Sequence, residues 1–375
     1  MRKRFMVSVA LATLLFGFAS ADSVAQKEAQ ALNNPTITFG DKAAKAQIQE
    51  AQSKLYFQSK LDAQKFQKEA LNDEQKRINY SVSKEAQYQN AHFKMGPKEV
   101  MEGLTQTLQA IAALQKNDIK TAKELLAKAS ENFQKALKAN PNLSFVPIAQ
   151  EIVVKVFQGD VKLIKTIIQK SIELLKNNDT QAARALLIPL QDEMDIITEY
   201  LPMKLYPLAT KEAAKALDKG NVAKALAILS AGLNTIVVTQ VVIPIPLLVA
   251  QDLVIAASKL DKSKKKEALA LLEAAKAELE KAVLLGYAKP YSKEYQNLKK
   301  EIEAIEKEIK GKNEVEKLYE HILNSFSKLL DEIRGDKEAK LQVTKYQQEQ
   351  LKKAIELKDV FEKQAKEAMQ KAQQK

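Results

Sequence analysis

The chain has no cysteine and no tryptophan, and it has only 10 glycines and 10 prolines among its 375 residues. Without cysteine it can form no disulfide bond and has no thiolate nucleophile, and a bacterial lipid anchor on cysteine is excluded. Sparse glycine and proline argue against a fold of many strands, because such folds need frequent turns. Stability must therefore come from packing.

The abundant residues favour helices. Alanine, lysine, leucine, glutamate and glutamine dominate the sequence, and all five are good helix formers. A hydrophobic content of 46% with 28% charged residues fits a globular or helical-array protein. We therefore predict an all-α fold in which antiparallel helical hairpins pack as a bundle or short array.

The N-terminus has the layout of a secretory signal peptide. Residues 2–4 are Arg-Lys-Arg, residues 5–19 are uncharged and mostly apolar, and Ala19-Ser20-Ala21 forms a small-residue cleavage site. The apolar run is shorter than a membrane-spanning helix needs. We predict a signal peptide over residues 1–21, cleaved after Ala21, and a periplasmic mature chain. An uncleaved N-terminal anchor is the alternative.

The formal net charge is +12, and removal of the signal peptide leaves 56 basic against 47 acidic side chains, a net charge of +9. Acidic and basic residues are interleaved along the chain, which is typical of solvated helix faces. A nucleic-acid interface requires a segregated basic face, so we predict no nucleic-acid partner. The basic excess still permits weak contact with an anionic membrane or cell-wall surface.

Four segments share one spacing, in which a leucine precedes an alanine by eight residues and two large aliphatic residues follow that alanine at three and four positions. The pairs are Leu114 and Ala122, Leu175 and Ala183, Leu217 and Ala225, and Leu260 and Ala268. Their starting positions have no fixed period, unlike tetratricopeptide repeats. The spacing is typical of a helical hairpin, because the alanine lets two helices approach and the aliphatic pair fills the groove between them.

Three of the four segments contain residues that can end one helix and cap the next. Residues able to end a helix in the left-handed conformation are Asn117, Asn178 and Gly220. Residues predicted to cap the following helix are Asp118, Asp179 and Asn221. The fourth copy has Ser263-Lys264 at this place, so no such cap is predicted there.

Four stretches lie in order between and after these hairpins. They are residues 142–148 (Asn-Leu-Ser-Phe-Val-Pro-Ile), residues 200–207, residues 233–246 with a double proline, and Leu285-Gly286-Tyr287. In this order they resemble the YfdX family of bacterial exported proteins, over about residues 97–310. The resemblance implies a periplasmic helical protein that forms homo-oligomers and is linked to stress and acid responses. The family has no established catalytic residues, so none is implied here.

We predict four parts of the chain: the signal peptide, an N-terminal helical extension over residues 22–96, a YfdX-like helical core over residues 97–290, and a charged helical tail over residues 291–375. Met95-Gly96-Pro97 marks the first boundary after the signal peptide. In the tail, a coiled-coil-like seam has the spacing of an a/d pattern. Its residues are Leu298, Ile302, Ile305 and Ile309. The seam predicts a coiled-coil-like extension that either packs on the chain's own core or binds a second copy or partner.

Residues 225–251 contain no charged side chain. Pro244 and Pro246 would break a membrane-spanning helix near its middle, so we predict a buried core segment. The β-branched residues before the prolines are also compatible with a short extended piece. Because uncharged side chains concentrate here, an alternative function is the binding of a small apolar or lipid ligand in a cleft near residues 233–253.

The sequence offers few groups for catalysis. His92 and His321 are the only histidines, and we predict both on helix surfaces. Asp192, Glu193 and Asp195 would hold a cation if a helix placed two of them on one face, although a solvated face is the commoner arrangement. Aromatic residues recur in the N-terminal region and would either pack between helices or stack on sugars or hydrophobic peptides. They are Tyr56, Phe57, Phe66, Tyr80, Tyr88 and Phe93.

No catalytic residue, cofactor-binding residue or metal ligand is predicted, and no phosphate loop, nucleophile elbow or dinucleotide motif is found. The sequence therefore predicts a non-enzymatic periplasmic protein without a cofactor. We expect protein partners and homo-oligomers, and an interaction or chaperone-like role in envelope or acid stress.

Overall fold

Helical hairpins and strands alternate along the chain. The computed structural model describes residues 37–38, 74–289, 291–311, 315–335 and 341–356, so the predicted signal peptide lies outside the described residues. The helices are α1 (Glu74–His92), α2 (Lys98–Gln115), α3 (Ile119–Ala139), α4 (Val161–Lys176), α5 (Thr180–Leu187), α6 (Tyr206–Asp218), α7 (Val222–Leu233), α8 (Ile245–Ser258), α9 (Lys265–Leu284), α10 (Lys293–Gly311), α11 (Glu316–Gly335) and α12 (Lys345–Glu356). The strands are β1 (Ile37–Thr38), β2 (Phe145–Lys155), β3 (Glu193–Pro202) and β4 (Val237–Pro244).

The four repeated segments form the hairpins α2–α3, α4–α5, α6–α7 and α8–α9, which we call hairpins one to four. The predicted turn residues are left-handed, with φ of 59° at Asn117, 63° at Asn178 and 76° at Gly220. The predicted caps are also confirmed. Asp118 accepts a hydrogen bond from the Thr121 N–H, Asp179 from that of Ala182, and Asn221 from that of Lys224. In hairpin four, Lys264 makes no side-chain capping bond.

The all-α prediction is confirmed in part: the described chain is mostly helical, but a small sheet lies between the hairpins. Its strands are antiparallel and follow the order β1-β2-β3-β4. One strand follows each of the first three hairpins, and each strand is rich in residues such as Val, Ile, Thr and Tyr that fit a pleated surface. Strand β4 takes the place of the extended piece that the β-branched residues before Pro244 allow.

A β-bulge at Ile148 decides which face of the sheet each β2 side chain reaches. Ile148 is the extra residue between the pairs Pro147–Tyr200 and Ala149–Glu199. Because side chains alternate along a strand, the bulge moves the residues after it to the opposite alternation. The two ends of β2 therefore send their buried side chains to different faces.

Two hydrophobic cores result, one on each face. Core one contains Ile152, Ile196 and Val241 from the sheet, together with α1, α8, α9, α10 and α11. Core two contains Val146 and Leu201 from the sheet, together with α2, α3, α6, α7 and α12. In core two, α3 of hairpin one packs against α6 of hairpin three.

The tail contributes to core one through its predicted seam. All four seam residues of α10 are buried, and α10 packs against α9 and α11. In the described part of the tail, the seam therefore packs on the chain's own core. Helix α1 joins the same core, where it packs against α8.

The uncharged run of residues 225–251 is a buried core segment, as predicted. It forms most of α7, all of β4 and the first half of α8, and residues 245–250 are all buried. Among the described residues, no helix is both long and apolar enough to span a membrane.

Candidate functional site

The three carboxylates singled out in the sequence lie at the start of strand β3 and not on a helix, so that part of the prediction is wrong. Asp192, Glu193 and Asp195 are all buried. The Lys155 ammonium, on the paired end of β2, lies 2.8 Å from Glu193 Oε1 and 2.6 Å from Asp195 Oδ2. Alternation along the strand brings these two carboxylates to one face, where a lysine supplies the positive charge.

A second buried lysine faces Asp192 from helix α9. Lys281 Nζ lies 2.7 Å from Asp192 Oδ2 and 3.3 Å from Glu74 Oε1. Burial acts to lower the pKa of Lys281, but the neighbouring carboxylates of Asp192 and Glu278 outweigh it and raise that pKa, which keeps the ammonium charged. Burial raises the pKa of Glu278, one helical turn earlier, to about 7.

Tyr287, just after the end of α9, connects the chain there to the strand through its hydroxyl group. It accepts a hydrogen bond of 2.9 Å from the Asp192 N–H and donates one of 2.9 Å to Glu193 Oε2. We call the whole group the β3 ionic cluster. It consists of Lys155, Asp192, Glu193, Asp195, Glu278, Lys281 and Tyr287.

The β3 ionic cluster fixes helix α9 to the sheet. Its carboxylates face lysines of the same chain, which hold the positions that a bound cation would take. Within the described ranges, no group of three or more His, Asp and Glu side chains is arranged to hold a metal ion. The geometry therefore supports a structural role for this cluster.

The two histidines lie on exposed helix surfaces, as predicted. His92, at the end of α1, places Nδ1 2.7 Å from the Tyr88 carbonyl oxygen and stacks on the Tyr88 ring. His321, on α11, places Nδ1 3.2 Å from Glu301 Oε1, with 71% of its side chain exposed. The structure does not bring the two together.

The N-terminal aromatic residues divide into two groups. Tyr56, Phe57 and Phe66 lie outside the described residues. Tyr88 has a packing role, because the Arg334 guanidinium lies 4.1 Å from the centre of its ring. Arg334 also forms an ion pair with the buried Glu85 and so joins α11 to α1. Phe93 lines a cavity beside the end of α1.

Hairpin two presents a group of exposed large apolar side chains. They are Leu163, Ile172, Leu175, Leu187 and Ile188, exposed by 41 to 57%. Only Ile164 and Ser171 of α4 and Ala183 of α5 are buried. We call these five side chains the hairpin-two surface.

In hairpin one, the residues at the equivalent repeat positions are buried. Leu175 is 47% exposed and Leu187 is 41% exposed, whereas the equivalent leucines of hairpin one, Leu114 and Leu126, are 3% and 0% exposed. Hairpin one packs against hairpin three, and hairpin four packs against α1, α10 and α11. Hairpin two contacts mainly α9, through α4. The same repeat positions therefore lack in hairpin two the cover that they have elsewhere.

The segment expected to line a ligand cleft is packed differently. Leu233, Val241 and Leu248 are core residues, and none of the residues that line the cavity beside α1 falls within 233–253. The cleft near residues 233–253 stays a prediction, and the cavity lies at another part of the sheet.

Sequence reasoning missed Lys155, Lys281 and the exposed leucines of hairpin two. The two lysines are far in sequence from the carboxylates that they face, so no local pattern marks them. A signal for hairpin two does exist, because the apolar residues of α4 extend over about half of the helix circumference, wider than one packed neighbour covers. These residues are Val161, Leu163, Ile164, Ile167, Ile168, Ile172, Leu174 and Leu175.

A comparison with protein-family models agrees with the resemblance over a narrower range. A structure of YfdX from Salmonella Typhi is similar to the chain at 15% sequence identity, covering 39% of this chain and 91% of that one with a TM-score of 0.28. No curated protein matches the chain. The model of the YfdX protein family matches residues 104–242, from hairpin one to strand β4. Residues 104–242 of this chain are therefore a YfdX region.

Proposed function

We propose that the protein is a non-catalytic, exported helical protein of the YfdX type that holds apolar segments of other proteins on its hairpin-two surface, in a chaperone-like role under envelope or acid stress. The observation behind this is the exposure of five large apolar side chains on one hairpin, two of which, Leu175 and Leu187, occupy repeat positions that are buried in hairpins one and three. Exposed apolar surface concentrated on one element is a mark of interaction sites in folded proteins.

The charges around this surface indicate the chemistry of the partner. Residues 161–187 contain five basic and two acidic side chains. The basic residues are Lys162, Lys165, Lys170, Lys176 and Arg184. Two copies of this hairpin would bring like charges together, which opposes symmetric pairing. An apolar segment flanked by acidic residues is the complementary partner.

Export and the stress role rest on other observations. The basic, apolar and small-residue order of residues 1–21 supports export to the periplasm. The YfdX region supports the stress role, since the resemblance implies that link. The YfdX family is not a known enzyme family, which supports a non-catalytic protein. We also propose that the protein forms homo-oligomers.

The test is aggregation of a client protein, the reduced insulin chains, followed by light scattering at neutral and mildly acidic pH. The chain from residue 22 onward is expected to slow aggregation. The double variant Leu175→Ser/Leu187→Ser should reduce this protection several-fold. It removes apolar contact area, and each Å² of such area contributes about 25 cal/mol of binding free energy.

The matched control is Leu208→Ser, since Leu208 is 43% exposed but lies on α6 of hairpin three. It should protect the client as well as the unchanged chain does. Equal protection by the double variant would contradict the proposal. Two other results would also contradict it. In both, the double variant protects the client as before, but it either no longer sediments as an oligomer or no longer binds anionic vesicles. Either result would assign the surface to another partner.

A further inference from the structure

A cavity of about 280 Å³ lies between the end of helix α1 and the face of the sheet that belongs to core one. Its floor includes Gln150 of β2 and Thr198 of β3. These residues are directly opposite each other in the register of the two strands. The bulge at Ile148 places Gln150 on this face, because it shifts the alternation of β2.

The floor contains two buried polar atoms that lack partners. Gln150 and Thr198 are each 2% exposed, and neither Gln150 Oε1 nor Thr198 Oγ1 has a hydrogen-bond partner in the described structure. A buried polar atom without a partner destabilises the fold, because it has lost its hydrogen bonds to water. Such atoms are rare in folded proteins, and at the wall of a cavity they are suited to a ligand.

The walls and rim of the cavity differ from its floor. Phe93, Phe145 and Tyr200 line the walls, and the exposed Lys94 lies at the rim. Among the described residues that line the cavity, none is an aspartate or a glutamate. Aromatic walls favour a planar apolar group, and a lysine without a nearby acidic residue in the lining favours an anion.

The connection between α1 and α2 holds the rim close to the floor. The Gly96 N–H donates a hydrogen bond of 2.8 Å to the Pro147 carbonyl oxygen. A Cβ atom at Gly96 would lie only 2.0 Å from Val146 Cγ1, so a side chain cannot be accommodated without movement. This close approach fixes Phe93 and Lys94 over the strand and prepares the cavity before any ligand binds.

We propose that this cavity binds a small phenolic acid, that is, an aromatic ring with a hydroxyl group at one end and a carboxylate at the other. The hydroxyl donates a hydrogen bond to Gln150 Oε1 and accepts one from the Thr198 hydroxyl. The ring lies between the aromatic walls, and the carboxylate faces the Lys94 ammonium. The volume lies just below the range for ligand sites, which begins at about 300 Å³, so the ligand has a single ring.

Calorimetry and ligand-observed NMR with three probes test this site: 4-hydroxybenzoate, benzoate and 4-hydroxybenzyl alcohol. We expect 4-hydroxybenzoate to bind most tightly. Benzoate, which lacks the hydroxyl, should bind about 5-fold more weakly or worse, the value of one or two hydrogen bonds. Thr198→Val should weaken 4-hydroxybenzoate towards the level of benzoate, since only the bond to Gln150 Oε1 remains, and leave benzoate unchanged. Lys94→Gln should weaken both acids and leave the alcohol unchanged.

The matched control is Thr210→Val, because Thr210 is also buried but its hydroxyl donates to the Tyr206 carbonyl oxygen within α6. It should leave binding of all three probes unchanged. Thermal unfolding without ligand gives a second readout: Thr198→Val should raise the melting temperature, since it removes an unpaired polar atom, whereas Thr210→Val should not. Binding of no probe at millimolar concentration, or equal binding of benzoate and 4-hydroxybenzoate, would overturn the assignment.

Discussion

Among single residues, Glu278 makes stability depend on pH in a direction that can be worked out. Burial raises the pKa of its carboxyl group from the ordinary 4.5 to about 7, against the opposing charge of Lys281. Between these two pH values the unfolded chain ionises this group while the folded chain keeps it protonated. The contribution of Glu278 to stability is therefore fully present below about pH 4.5 and is lost as the pH rises to about 7.

Replacement of Glu278 by glutamine should therefore stabilise the protein at pH 8 and have little effect at pH 5. Glutamine resembles the protonated carboxyl group and cannot ionise. The gain at pH 8 is expected to be about 3 kcal/mol, from a shift of about 2.5 pKa units at 1.36 kcal/mol per unit. Urea unfolding at the two pH values measures it. Glu280→Gln, an exposed neighbour on the same helix, is the control, and equal gains at both pH values would show that Glu278 is ionised in the fold.

Among the secondary-structure elements, the hairpin turns provide a comparison within one chain. The Asn221 side chain caps α7 with a bond of 2.9 Å to the Lys224 N–H, whereas Lys264 before α9 makes no capping bond. Asn221→Ala should lower the free energy of unfolding by about 1 kcal/mol, the usual value of an N-cap. Lys264→Ala should change it little. If chemical denaturation gave similar losses for both, the cap at Asn221 would not contribute to stability.

The hairpins could be predicted because their determinants are local. Asn117 and Gly220 take the left-handed conformation at the places where the sequence needs it, and Asp118 caps the next helix from one residue further on. The strands could not be predicted in the same way, since a strand is stabilised by partners distant in sequence. The alternation of Val146 and Ile152 with their neighbours determines which side chains are buried only when β3 pairs with β2.

The same limit applies to the candidate sites. Asp192 and Glu193 are adjacent, so the sequence alone indicates them as a group. Lys281 contacts Asp192 from α9, far along the chain. Leu175 occupies the same position in the repeat as the buried Leu114. It is exposed because no packing neighbour covers it in the described fold. A repeat pattern indicates which residues can pack, and tertiary structure decides which of them do.

For the whole molecule, the two cores share one sheet but recruit different helices. The family model covers most of hairpins one to three and of strands β2, β3 and β4. Core one is completed by helices from outside that range, namely α1, α8, α9, α10 and α11. The charged tail therefore has a structural role in the described fold, because the faces of α8 and α9 would otherwise expose apolar residues to solvent.

Truncation of one seam residue tests whether the tail and core one unfold together. Ile302 of α10 is fully buried within core one, and its replacement by alanine should cost about 2–5 kcal/mol. Hydrogen exchange measured by mass spectrometry should then show faster exchange in α8 and α9 as well as in α10, with smaller changes in α2 and α3 of core two. Glu303→Ala, on the exposed side of the same helix, should change none of them. Faster exchange confined to α10 would mean that this helix opens by itself, and that core one is stable without the tail.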